Sequence, residues 1–187
     1  MLDTGLLFSL FPDFVKVFGE RNPLRNRDKQ FFLSSFGLVD QLVKIERPVP
    51  ESILFALFLT PFLRAVTPEH RFLGERERSI YLRQTIQLAV HEIFTPYSFP
   101  KGAREMASQI LVSQSSLKKS VQRGVIPKRM RMKKYFKEAV LLFGIEAQAK
   151  NEKVPHLLRN AVPSDLLPWW PKEIKRRRMK RRELSPQ

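Results

Sequence analysis

Apolar residues recur along this chain at intervals of three and four positions, and no stretch shows the sustained apolar-polar alternation of a half-buried strand. The pattern predicts an all-α fold, an irregular body of about seven to eight helices. Asp28 is placed to cap a helix whose inward face is Phe32, Phe36, Val39 and Val43, ended by Pro48 and Pro50. Residues 51–65 follow with Ile53, Leu54, Phe55, Leu57, Phe58, Leu59, Phe62 and Leu63. Side chains apolar on almost every side require neighbours all round, so this helix is expected at the centre of the core. A third helix, 76–94, turns Leu82, Ile86, Val90 and Ile93 inward and breaks at Pro96 and Pro100. A fourth, 103–122, buries Met106, Ile110, Leu117 and Val121.

Beyond Gly124 the pattern changes. Pro127 opens a basic connector leading into a helix with Phe136, Val140 and Phe143 on one side and Arg129, Lys133 and Lys137 on another. A short helix is predicted over 155–161, after which Pro163, Pro168 and Pro171 prevent another long one. Three parts result: a helical core over 1–124, a segment over 125–171 packed on the same domain and containing the connector, a helix and Trp169 and Trp170, and a basic tail over 172–187 too charged to pack and expected to be disordered.

Composition sharpens this picture through charge. The 187 residues carry a net charge of +16, and its distribution is uneven: residues 1–100 are net +1 and residues 101–187 net +15. The first half therefore builds the fold, and the second half carries an electrostatic footprint that points to a polyanion. With no cysteine, disulfides, thiolate metal sites and thiol nucleophiles are excluded, and a reducing compartment is compatible. The most apolar run, 53–66, is shorter than the ~20 residues a bilayer requires and contains Pro61 and Arg64. No membrane span and no secretory signal are expected, and the cytoplasm is the default location.

Two basic clusters are the candidate contacts. The first is Lys128, Arg129, Arg131, Lys133, Lys134 and Lys137, with no acid among them; the second is Lys175, Arg176, Arg177, Arg178, Lys180, Arg181 and Arg182, interrupted by Met179. Such clusters hold phosphates by Coulomb attraction and counterion release, and arginine adds bidentate contacts and stacking on exposed bases. The bland reading of the first is a solvated helix end; for the second the rivals are a localisation signal or docking on an acidic protein or anionic membrane surface. Trp169 and Trp170 either stack on unpaired bases or anchor a terminal segment. Phe31, Phe32, Phe36, Phe55, Phe58 and Phe62 sit at core spacing. His70, His91 and His156 lack metal-ligand spacing. Asp13, Asp28, Asp40 and Asp165 form no carboxylate pair, and none of the seven glycines makes a phosphate-cradling loop. No catalytic residue, metal site, cofactor site or small-molecule site is expected, and the chain alone is read as not an enzyme.

Several segments, in order, resemble the C-terminal body of bacterial poly(A) polymerases, relatives of the tRNA nucleotidyltransferases. Leu7-Phe8-Ser9-Leu10-Phe11-Pro12 is similar to that family's turn into its RNA-binding body, and residues 49–59, Val-Pro-Glu-Ser-Ile-Leu-Phe-Ala-Leu-Phe-Leu, resemble its apolar helix introduced by proline. Ile126-Pro127-Lys128-Arg129 is similar to its Ile-Pro-Arg-Arg element, and Leu157-Leu158-Arg159, Trp169-Trp170 and the basic tail are placed like later family elements. The resemblance implies a body that grips RNA, with Lys128 and Arg129 the best-matched positions. It also implies that ATP and Mg²⁺ belong to a head, absent here, carrying an Asp-x-Asp strand that this sequence does not contain. The partner implied is RNA, together with a separate nucleotidyltransferase head chain if the chain is a split subunit; a gene fragment or a headless relative kept for RNA binding are the other readings. Without head and neck, Leu6, Leu7, Leu10 and Phe14 are expected to present uncovered apolar surface.

Overall fold

The computed structural model describes residues 9–19, 25–44, 49–66, 75–94 and 97–159, and every regular element among them is helical. A 3-10 turn, Pro12–Phe14, runs into α1 (Val15–Phe18), followed by α2 (Arg25–Lys44), α3 (Glu51–Val66), α4 (Glu75–Phe94), α5 (Lys101–Gln122), the single turn α6 (Lys128–Arg131), α7 (Phe136–Ala149) and α8 (His156–Arg159). The all-α architecture is the one the periodicity predicts.

The central helix is α3, packed against α1, α2, α4, α5 and α7. Ile53, Ala56, Leu57, Leu59, Phe62 and Leu63 are all buried, which requires cover on more than one side. Pro61 lies inside this helix and has no N–H for the carbonyl of Leu57, while the hydroxyl of Thr60 donates to the Ala56 carbonyl at 2.8 Å. Aromatic rings fill the space toward the N-terminus: Phe11 and Phe14 meet Phe58 at centroid distances of 4.8 and 4.5 Å, and Phe94 meets Phe55 at 4.8 Å.

Polar groups fix how α7 lies on α3. The Ser52 hydroxyl donates to Glu138 Oε2 at 3.2 Å, and the Thr60 hydroxyl donates to Glu146 Oε1 at 3.4 Å. Both pairs are separated by 86 positions, so the two helices run side by side in the same direction. Glu146 also pairs with Arg64 at 3.6 Å and Lys150 at 3.5 Å, and the Arg64 guanidinium lies 3.9 Å from the centroid of the Phe31 ring. Ion pairing, hydrogen bonding and a cation over a ring thus tie α2, α3 and α7 together.

Several expectations are corrected. Helix α2 starts at Arg25, so Asp28 is not its cap; it sits within the first turn, 2% exposed, where a carboxylate complements the helix dipole. The inward face of α2 is Phe31, Ser35, Val39 and Leu42, with Phe32 and Phe36 half-buried and Val43 57% exposed. The reason is that α2 packs against α7, α3 and α1, with the rings of Phe18 and Phe58 meeting Phe32, and Val43 falls outside these contacts. Phe14 is fully buried rather than uncovered, whereas Leu10 is exposed; Leu6 and Leu7 lie outside the described residues. On α5, Met106 and Val121 are only half-buried, and the small residues Ala107, Ser113 and Ser120 join Ile110, Leu111 and Leu117 in the buried face. Of the 155–161 helix, the structure describes His156–Arg159.

A second, smaller apolar cluster lies beside the main core. Leu117, Ile126, Phe136, Val140 and Leu158 form it, with Val121, Met130, Phe143, Val154 and Leu157 packed around them. Helix α7 serves both clusters, giving Leu142 and Ile145 to the main core and Phe136 and Val140 to the smaller one.

Candidate nucleic-acid interface

The end of α5 sets the direction of the basic segment. Gly124 adopts a φ of 72°, the left-handed conformation that favours glycine. The Gly124 N–H bonds to the Val121 carbonyl at 3.1 Å and the Val125 N–H to the Ser120 carbonyl at 3.1 Å, which together close a Schellman motif. The chain then turns so that Ile126 is buried in the smaller cluster, and Pro127 stands just before α6 with its carbonyl accepting from Met130 and Arg131 at 3.0 and 3.2 Å. Further bonds from Met132 to Lys128, Lys133 to Met130 and Phe136 to Lys133 carry the backbone into α7. What the sequence suggests is a connector is therefore a hydrogen-bonded helical turn, anchored beneath by Ile126 and Met130.

Lys128, Arg129, Arg131, Lys133, Lys134 and Lys137 are all exposed on this frame. None forms an ion pair with another described residue. Helix stability does not account for the cations that precede α7. Lys133, Lys134 and Lys137 crowd the N-terminal end of that helix, where the backbone dipole disfavours positive charge. Glu138, the acid in its first turn, is engaged by Ser52.

Three more cations, which the two sequence clusters do not include, extend the surface: Lys118, Lys119 and Arg123, exposed at the end of α5. They belong with the others because Leu117 and Val121, on the same turns of α5, pack in the cluster that holds Ile126 and Met130. Their signal was in the sequence. Residues 106–137 contain nine basic side chains and no acidic one. A dipole argument explains a lysine at the end of α5 without any ligand, so these three weigh less than the cations before α7.

No protein-family model, curated protein or solved structure matches the chain.

Trp169, Trp170 and the second cluster, Lys175 to Arg178 and Lys180 to Arg182, lie outside the described residues, as do His70 and Asp165. His91 and His156 are exposed. Among the described residues no three His, Cys, Asp or Glu side chains gather as a metal ion requires, and no helix is long and apolar enough to cross a membrane. An open groove of about 390 Å³ between α4 and α5 is lined by Gln87, His91, Lys101, Arg104, Glu105 and Gln109, with Lys101 and Glu105 paired at 3.8 Å. Its mixed signs of charge set it apart from the surface around α6.

Proposed function

We propose that this chain is an RNA-binding helical module, a body of the poly(A) polymerase kind that holds RNA for 3′-end adenylation, the transfer itself belonging to a nucleotidyltransferase head that is separate from these residues or missing. On this reading the chain is not an enzyme by itself, and ATP and Mg²⁺ are the head's. The observation that carries the RNA-binding part is the group of exposed cations on α6 and the turn into α7, none paired with a described acid, of which Lys133, Lys134 and Lys137 stand against the dipole of α7. The poly(A) polymerase part rests on the ordered resemblance of short segments, among which Ile126-Pro127-Lys128-Arg129 contributes Lys128 and Arg129 to this surface.

Contacts of this type grip the sugar-phosphate backbone, so affinity depends on ionic strength and little on sequence. Replacing Lys128, Arg129, Lys133 and Lys134 together by glutamine is expected to weaken RNA binding across all sequences. It should also reduce the slope of log K against log salt by about 3, since each phosphate no longer neutralised lowers that slope by about 0.7–0.9. Fluorescence anisotropy over a salt series with ATP and Mg²⁺ present measures both and reports any extension. An unchanged slope rejects this surface as the binding site, and RNA extension by the chain alone rejects the division of labour. Binding to an acidic protein or to anionic vesicles in place of RNA would favour a docking role for residues 175–182.

A further inference from the structure

Two large apolar side chains stand out of the basic surface. Val125 is 65% exposed and Met132 is 76% exposed, the highest values among the exposed large hydrophobic residues described. Neither is left outside because its backbone is loose. The Val125 N–H closes the Schellman motif at the end of α5, and the Met132 N–H bonds to the Lys128 carbonyl at 3.1 Å. In a Schellman motif the residue at the Val125 position ordinarily packs on the residue five positions earlier. Here that residue is Ser120, whose hydroxyl donates to the Ser116 carbonyl at 2.9 Å, so this position gives Val125 no apolar side chain to pack on. Ile126 and Met130, the apolar neighbours of the same segment, are drawn into the smaller cluster. The segment thus sends two apolar residues inward and holds two outward among Arg123, Arg131, Lys133 and Lys134.

We infer that Val125 and Met132 are base-contacting positions, which receive the faces of unpaired nucleobases while the surrounding cations hold the phosphates. The inference rests on the RNA-binding reading above and adds to it a preference for strand type. In a duplex the base faces are stacked on one another, and a protein meets phosphates, 2′-hydroxyls and base edges, against which an aliphatic side chain gains little. An unpaired strand exposes a base face beside each phosphate, and apolar contact with it does not depend on which base is present. An anionic lipid surface shares the charge and would accept both side chains. Two of them, however, offer less apolar area than a single myristoyl chain, which by itself gives only marginal membrane binding.

The test uses the full chain and its Val125→Ser, Met132→Ser double variant. Each is titrated with an unstructured single-stranded RNA and with a perfectly paired RNA hairpin, across the same salt series. Both substitutions are at exposed positions, and coincident thermal unfolding curves establish that the fold is intact. The expected result is a loss of about fivefold in single-strand affinity, from the apolar area removed, with the salt slope and hairpin affinity unchanged because no charge is altered. If the double variant binds the single strand as the parent does, or loses both RNAs equally, the base-contact inference is overturned while RNA binding stands. If neither RNA is bound by the parent chain even at low salt, the RNA reading fails and takes this inference with it. Loss of binding to phosphatidylserine vesicles without loss of RNA binding would overturn it in favour of a lipid surface.

Discussion

Gly124 holds a φ of 72° and has nothing within 4 Å of where a β-carbon would be, so a side chain there would meet no steric obstacle but would strain the backbone. Gly124→Ala is therefore expected to cost about 1–2 kcal/mol from the left-handed conformation alone. Chemical denaturation should show a lower midpoint with an unchanged m-value, since no surface burial is altered. Asn151 occupies the equivalent place after α7, with a φ of 56°. The N–H of Glu152 bonds to the Ala147 carbonyl at 2.7 Å, so two helices end by the same device. The end of the helix ahead of Gly124 was legible in sequence. The serine at 120 that leaves Val125 without a partner was not, because its importance appears only once the hydrogen-bond pattern of the turn is known.

At the scale of elements, α8 is the brace of the basic turn. Leu158 is fully buried in the cluster that also contains Ile126, with Met130 packed against it. Leu158→Ala should destabilise the protein by about 2–5 kcal/mol. It should also speed amide hydrogen exchange over 126–134 more than in α3, whose core Leu158 does not join. Uniform acceleration along the chain would show that the two clusters open as one. The periodicity found the long helices α2 to α5 and the apolar centre at α3, because 3.6-residue spacing survives wherever one face is buried. It misjudged the face of α2 because Phe31 and Phe32 are adjacent and equally apolar, and only the positions of α7 and the Phe58 ring decide which of them is enclosed. The candidate surface was legible as an acid-free run, but not as a turn fixed by its own hydrogen bonds. A proline followed by closely spaced cations has the local composition of a linker.

For the molecule as a whole, charge acts in opposite directions on folding and on binding. A net charge of +16, concentrated beyond residue 100, repels itself in the folded chain. Raising ionic strength from about 50 to 300 mM shortens the screening length from roughly 14 to 6 Å. The free protein is then expected to melt at a higher temperature in the same buffers that weaken its hold on RNA. Circular dichroism melts across the salt series check this, and a melting temperature that falls with salt would show that attractive pairs such as Arg64 with Glu146 outweigh the repulsion. The parallel alignment of α3 and α7 bears on the order in which the molecule comes into being during synthesis. Ser52 and Thr60 must wait for partners that leave the ribosome 86 residues later. Until α7 reaches its berth, neither half of the smaller cluster can close beneath the basic turn. A nascent chain that has emerged only as far as residue 135 already carries most of the cations of this surface, but not the scaffold that aims them. Its attraction to polyanions, including the ribosomal RNA around it, would be that of a charged thread and not of a shaped surface.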